Sequence, residues 1–142
     1  MIKENNGQVS LEYLLIFAIS IAILIVFTLP LTQQAIEDTV DVSNALDVKN
    51  DLSKITQAIE KVYGEGQGSK ETVYIISPNK INIQLTDNHI SCKLKLKNGL
   101  YKSIDDYYES NLCKNSVTLK KGDNVLVVEW PENSEEMIIY SQ

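Results

Sequence analysis

Arginine is absent from the chain and histidine occurs once, so several kinds of site are disfavoured from the start. All 13 basic residues are lysines, and a lysine ammonium lacks the planar fork that binds phosphate or carboxylate through two hydrogen bonds. The net charge of −6 disfavours binding to nucleic acid. A lone His89 without a Cys-x-x-Cys pair provides neither a metal-ligand set nor a catalytic triad. We therefore expect no enzyme activity, no metal, no cofactor and no nucleic-acid partner.

What the sequence does contain is a long apolar run close to its start. No charged residue occurs from Tyr13 to Ile36, and residues 14–31 are almost all apolar. A helix that crosses a bilayer needs about 20 such residues. The apolar core of an ordinary secretory signal is shorter, about 7–15 residues, and its small residue follows the core, whereas Gly7 precedes this run. This order predicts a leader, residues 1–7, that is removed ahead of a retained helix.

Residues 14–31 are compatible with three environments. They could span a membrane, form the buried core helix of a larger protein, or pack in the middle of a polymer. The second requires more protein than this chain supplies, whereas a helix that is apolar on all sides suits both the first and the third. Pro30 removes a hydrogen bond to the Val26 carbonyl and is predicted to kink or loosen the helix.

The residues in front of the run carry a recognisable motif. Gln8-x-Ser10-x-Glu12-Tyr13, directly before an apolar helix, resembles the class III signal peptide of archaeal type IV pilin-like proteins. The resemblance implies that a prepilin peptidase cleaves between Gly7 and Gln8. It implies recognition or assembly roles for Gln8, Ser10, Glu12 and Tyr13. It also implies a long helix followed by a β-rich head, with an assembly ATPase and a membrane platform as partners.

Glu12 is a carboxylate at the edge of the apolar segment, where an unpaired charge is costly. The resemblance supplies a partner, the new α-amine of Gln8 on a neighbouring subunit after cleavage. The alternative is that Glu12 lies at the membrane–water interface or stabilises the first helical turn through the helix dipole. The leader carries one lysine and one glutamate, Lys3 and Glu4, and so lacks the strongly basic character of many such leaders. Charge therefore specifies the membrane orientation less well.

The helix is predicted to continue beyond the membrane. Apolar residues recur with helical spacing, at Ile36, Val40, Val48, Leu52, Ile55, Ile59 and Val62. We predict one kinked helix over 8–63, apolar over 13–31 and amphipathic over 36–63, and the alternative is a break near Pro30 or Ser43-Asn44. The glycine-rich residues 64–71 follow a helix and precede a strand, which is typical of a connector rather than of a phosphate-binding loop.

From Thr72 the apolar period changes to two, which predicts a β-rich globular head over 72–142. Turn residues separate seven predicted strands, 73–76, 81–86, 90–97, 100–104, 117–120, 125–130 and 137–140. The sequence predicts an α+β fold in which the long N-terminal helix packs on an antiparallel sheet. An antiparallel meander is expected, and the choice between one sheet, a sandwich and a small barrel stays open.

Cys92 and Cys113 are the only cysteines, and in an extracytoplasmic domain such a pair is typical of one disulfide. It would close a loop of about 20 residues and contribute on the order of 3 kcal/mol. The alternative is two inert buried thiols.

Two groups of charged residues have alternative interpretations. Lys93, Lys95 and Lys97 form a basic stripe that is either solvated, protective of a sheet edge, or in contact with an acidic neighbour such as the surface of Glu37, Asp38 and Asp41. Asp105, Asp106 and Glu109 lack an EF-hand pattern and are predicted to lie in a solvated loop.

Together these features predict a pilin, the structural subunit of an archaeal type IV pilus-like filament for adhesion or surface attachment. The precursor would be membrane-anchored with an extracellular head, and the processed chain would polymerise through its apolar helix. One alternative is a minor subunit that initiates, tips or decorates filaments of another pilin. Another is a singly anchored extracytoplasmic binding protein that never polymerises.

Overall fold

The computed structural model describes residues 5–86, 88–110 and 115–142. Within these ranges one helix precedes seven strands: α1 (Asn5–Glu65), β1 (Lys70–Ser77), β2 (Ile81–Leu85), β3 (His89–Lys95), β4 (Tyr101–Tyr107), β5 (Asn115–Leu119), β6 (Gly122–Glu129) and β7 (Ile138–Ser141). The predicted α+β architecture is confirmed. The chain divides between Val40 and Asp41 into two compact units, so α1 contributes its first part to one unit and its second part to the other. We call residues 41–142 the head unit.

Helix α1 is continuous, and the alternative with a break near Pro30 or Ser43-Asn44 is wrong. It begins upstream of the proposed cleavage point and ends two residues beyond the predicted limit. Gly66 terminates it with a φ of 88°, and its N–H donates to the Val62 carbonyl at 3.0 Å. Such a left-handed residue after a helix is favoured when it is glycine. The connector is shorter than predicted, because β1 already begins at Lys70.

The second part of α1 buries one face in the head unit. Its buried apolar residues are Ala45, Val48, Leu52, Ile55, Ala58, Ile59 and Val62. Successive members are three or four positions apart, which places them on one side of the helix. They form a single core cluster with residues of all seven strands or of the segments beside them. The predicted apolar stripe is therefore confirmed from Val48 to Val62, whereas Ile36 and Val40 are exposed.

The strands form two antiparallel sheets, with orders β1-β6-β7 and β4-β3-β2-β5. Only β2-β3-β4 is a meander, so the prediction of one meander for the whole head is wrong. The turns before β2 and before β6 each carry the chain from one sheet to the other. Turn residues specify that the chain reverses, but not which strand it then pairs with. In β6 the consecutive residues Leu126, Val127 and Val128 are all buried, and β6 pairs on both edges.

Strand β4 extends further than predicted and changes the setting of two charged groups. Asp105 and Asp106 lie in β4, paired with Ser91 and Ile90, so their placement in a solvated loop is wrong. Being consecutive in a strand, they point to opposite faces of the sheet. Strand β3 lies between β4 and β2, so its two lysines, Lys93 and Lys95, do not protect a sheet edge.

Candidate functional site

The first part of α1 exposes its side chains on all sides of the helix. Every residue from Ser10 to Val40 is exposed, including Leu14, Phe17 and Phe27 at about two thirds of their full exposure. Within the described ranges α1 is the one helix long and apolar enough to cross a membrane. At about 2 kcal/mol for each large apolar side chain, leaving residues 11–31 in water costs roughly 30 kcal/mol. This segment therefore requires lipid or other apolar helices around it.

Three hydroxyl groups in this part of the helix donate hydrogen bonds to backbone carbonyls of the same helix. The Ser20 hydroxyl donates to the Ile16 carbonyl at 2.8 Å, Thr32 to Thr28 at 3.0 Å, and Thr39 to Ala35 at 2.7 Å. These bonds let the hydroxyls enter an apolar medium without leaving a donor unpaired. Pro30 lies within the helix, where its missing N–H deprives the Val26 carbonyl of its usual donor. The predicted kink stays a prediction.

The motif residues lie in the first turns of α1. Ser10, Glu12 and Tyr13 are exposed, and Gln8 lies one helical turn before Glu12. The side chain of Gln8 is outside the described residues. The bond between Gly7 and Gln8 lies near the helix start, where the first four N–H groups lack intrahelical acceptors. Little local structure therefore opposes unwinding at the proposed cleavage point, although the roles of Gly7, Gln8, Ser10, Glu12 and Tyr13 stay predictions.

A partly buried polar cluster fixes the second part of α1 to the four-stranded sheet. Asp106 Oδ1 accepts from Lys49 Nζ at 3.2 Å, and Asp106 Oδ2 accepts from Thr56 Oγ1 at 3.0 Å. Lys49 also donates to the Asp105 carbonyl. Partial burial raises the pKa of the Asp106 carboxyl, but the hydrogen bonds from Lys49 and Thr56 and the Lys49 charge outweigh it, so the pKa is lowered. Asp106 is thus an ion-paired anchor.

A second carboxylate binds the β3–β4 hairpin to the helix. Asp41 accepts the backbone N–H of Lys97 at 3.0 Å and 2.9 Å with its two oxygens. The sequence suggested Asp41 as part of an acidic surface that a neighbour's lysines would contact. In the structure Asp41 instead accepts a hydrogen bond within its own chain. This contact fixes the backbone at Lys97, the last residue of the basic stripe. Sequence reasoning also missed Thr56, because a threonine on a helix gives no signal of a partner fifty residues away.

Cys92 is a buried free thiol on the inner face of β3, with 3% of its surface exposed. Burial, followed by the nearby Asp105 charge, raises its pKa to about 11. Its predicted partner, Cys113, lies outside the described residues. The structure contains no disulfide at Cys92, and the Cys92–Cys113 bridge stays a prediction.

A family model of the class III signal peptide matches residues 5–31. The match confirms the predicted signal peptide and supports a type IV pilin-like protein that is a prepilin substrate. It covers the motif and the exposed apolar segment and ends well before the head unit. No curated protein and no solved structure matches the chain.

The Asp106 anchor predicts a pH-dependent effect of Asp106→Asn. Because the folded-state pKa is lowered, the carboxylate stabilises the fold above its ordinary pKa, and this stabilisation is lost as the pH falls through the folded-state value. We expect Asp106→Asn to reduce the free energy of unfolding by about 1–2 kcal/mol at pH 7 and by less at pH 3, which lies below the ordinary carboxyl pKa. The free energy of unfolding at each pH is measured by urea unfolding of the full chain in detergent, followed by Trp130 fluorescence.

Asp105→Asn is the matched control, since Asp105 is exposed on the opposite face of the same strand. It should change stability by less than about 0.5 kcal/mol. An equal loss for Asp106→Asn at both pH values would contradict the ion-paired anchor.

The buried thiol predicts that Cys92 in the folded chain resists a water-soluble maleimide. With a pKa near 11 the thiol stays protonated at pH 8, and the core also excludes the reagent. Peptide mapping after labelling should find Cys92 unmodified in the folded chain; rapid labelling there would contradict its burial. Unfolding without reductant then tests the disulfide, because free thiols label and a bridged pair does not.

Proposed function

We propose that the chain is a pilin, the structural subunit of an archaeal type IV pilus-like surface filament. One observation carries the proposal: the class III signal peptide at residues 5–31 lies on a helix that is exposed throughout residues 14–31 and almost entirely apolar there. A signal peptide removed as a whole would not need to be continuous with a helix that enters a folded head. Here the same helix supplies the core of the head unit, so it stays with the mature protein.

The pathway follows from the two environments that suit an apolar helix. The precursor lies in the membrane with its head outside, and a prepilin peptidase cleaves between Gly7 and Gln8. The helix then exchanges lipid for the helices of other copies. When different surfaces of identical subunits contact each other, the same contact repeats from one subunit to the next. Unless the rotation between neighbours closes a ring, the result is an open filament. An assembly ATPase and a membrane platform are the proposed partners in this exchange.

In this proposal Glu12 determines the axial offset between neighbouring helices in the filament. A carboxylate within an apolar bundle is costly unless a cation is close to it. Cleavage creates such a cation at the α-amine of Gln8. Pairing between the amine of one copy and Glu12 of its neighbour favours one axial offset among the many that apolar surfaces would tolerate.

The head unit then forms the filament surface, for adhesion or surface attachment, and we propose no enzymatic role for it. Its size favours a second candidate. A filament needs only the helix for its core, whereas residues 41–142 form a unit with a core of its own. A minor subunit that initiates, tips or decorates filaments of another pilin would use such a head for recognition. A non-polymerising, singly anchored binding protein is the remaining alternative.

Processing is tested on filaments sheared from native cells. We expect the intact mass and the N-terminal peptide to show an abundant chain that starts at Gln8. Trace amounts of the same processed chain would favour the minor subunit. A chain that starts at Met1 and occurs only in membranes would contradict the pilin proposal.

Glu12→Ala tests the assembly role. Loss of the Glu12 carboxylate should lower the amount of this chain in filaments by about tenfold or more. The reason is that the Gln8 α-amine of the neighbouring copy is left without a counter-ion in an apolar setting. Membrane insertion should persist, since the variant makes the segment more apolar. The N-terminal peptide of the membrane fraction shows whether processing is intact. Normal filament content for Glu12→Ala would contradict the proposed pairing.

A further inference from the structure

A groove lined by lysines lies at one end of the head unit. It has a volume of about 440 Å³ and is bounded by the start of the helix within this unit, by the residues before β2, and by the β3–β4 hairpin. The side chains that characterise this lysine groove are those of Lys80, Lys93, Lys95, Lys97 and Tyr101. Asp41 is the one acid among the described residues that line it, and its carboxylate accepts the Lys97 N–H.

The lysines of this groove have no counter-ion among the described residues. None of Lys80, Lys93, Lys95 and Lys97 forms an ion pair with any part of the chain that the structure describes. In contrast, Lys49, Lys54, Lys61 and Lys70 each have a carboxylate within 4.0 Å. A local excess of positive charge on a chain of net charge −6 attracts an anionic partner. Because β3 is an internal strand, protection of a sheet edge does not explain the excess.

A second groove, of about 600 Å³, has the opposite character. We call it the tyrosine groove, and its characteristic residues are Glu60, Tyr63, Tyr107, Tyr108 and Glu109. Among the described residues, no lysine lines it and neither glutamate forms an ion pair. Tyr63 and Tyr107 are 45% and 72% exposed. A tyrosine face beside a carboxylate is a favourable environment for an ammonium group.

The exposed tyrosine rings of this groove pack against other aromatic rings. Tyr63 stacks on Trp130 with ring centroids 5.8 Å apart and an interplanar angle of 7°. Tyr107 is tilted against His89 at 6.1 Å. Trp130 is itself fixed, since its Nε1 donates to the Ser134 carbonyl at 2.9 Å. Rings held in this way lose little conformational entropy when a ligand binds.

The two grooves lie at opposite ends of the head unit. Tyr101 begins β4 and Tyr107 ends it, so these two residues are about 20 Å apart along the strand. On the helix side, Asn44 lines the lysine groove and Glu60 the tyrosine groove, about 24 Å apart along the axis. One chain therefore cannot bring its own grooves together, whereas two copies can.

We propose that the lysine groove of one copy binds the tyrosine groove of the next copy in the filament. This inference rests on the proposed pilin function and adds a contact between heads to it. The β3–β4 hairpin presents Leu100 and Tyr101, 65% and 66% exposed, beside the lysines, so the contact combines apolar area with charge. That apolar area, and the matching acidic surface on the same chain, favour a protein occupant over an anionic lipid. A contact between different surfaces also propagates without closing.

A zero-length carbodiimide crosslink tests the contact directly in isolated filaments. The reagent joins a lysine amine to a carboxylate only where the two groups touch. Mass spectrometry should find a groove lysine joined to Glu60 or Glu109, and the separation of the grooves makes such a link intermolecular. Lys61 and Glu71, 2.7 Å apart within one chain, are the internal control. A recovered Lys61–Glu71 link without any link between the grooves would overturn the inference.

Charge exchange provides the second test, with normal Trp130 fluorescence as the check that each variant is folded. Lys95→Glu and Glu109→Lys should each lower the filament content of the chain by about tenfold, because each places like charges in contact. The two substitutions together should restore it to within about threefold of the wild type. Lys121→Glu is the matched control, since Lys121 is exposed and does not line the groove.

The outcomes separate this inference from the pilin function. Wild-type filaments containing the chain that starts at Gln8, together with normal assembly of Lys95→Glu, would overturn the head contact and leave the function standing. A defect in both single variants that the double variant does not repair would also overturn it. Absence of the processed chain from filaments would overturn both proposals.

Discussion

The apolar part of α1 cannot remain in water, and the rest of the molecule depends on this constraint. Its exposure costs roughly 30 kcal/mol, more than the 5–15 kcal/mol by which a folded domain is typically stable. The chain must therefore keep this segment in lipid or among other helices at every stage. A signal peptide that is cleaved ahead of the segment is consistent with this requirement, because processing removes the leader without removing the anchor. The match to a class III signal peptide over residues 5–31 thus agrees with the physical character of the helix it covers.

The second part of α1 meets the same requirement within its own chain. Leu52, Ile55 and Ile59 are buried against the two sheets, so this part needs no partner for its apolar face. Polar contacts then fix its position on the four-stranded sheet. Asp106 receives hydrogen bonds from Lys49 and Thr56, and Asp41 receives the Lys97 N–H. These contacts engage Lys49 in an ion pair, whereas Lys93 and Lys95 of β3 have no carboxylate within 4.0 Å among the described residues and remain available to a partner.

The sequence was informative where burial follows a local period. The spacing of Val48, Leu52, Ile55, Ile59 and Val62 predicted their shared buried face, and the alternation of apolar residues located all seven strands. The pairing between strands was not predictable, because a strand can pair with one that is distant in the sequence. Turn residues carry no information about which strand that is. For the same reason Asp106 was assigned to a loop, since its compensation by Lys49 and Thr56 is visible only after folding. The motif at Gln8 identified the signal peptide, whereas the tyrosine groove, built from a helix end and a strand end, has no local signature.

An apolar helix and a charged head make different contributions to an assembly. A helix that is apolar on all sides associates strongly with identical helices. The free energy of this association differs little between one axial offset and the next. Charged and aromatic contacts provide less net free energy in water, yet they penalise every arrangement that brings like charges together or leaves a charge unpaired. In the proposed filament, the exposed segment of α1 would therefore supply affinity, and the carboxylate of Glu12 and the two grooves would supply register. The lysine groove would then have the same part on the filament surface as the pairing proposed for Glu12 in the filament core.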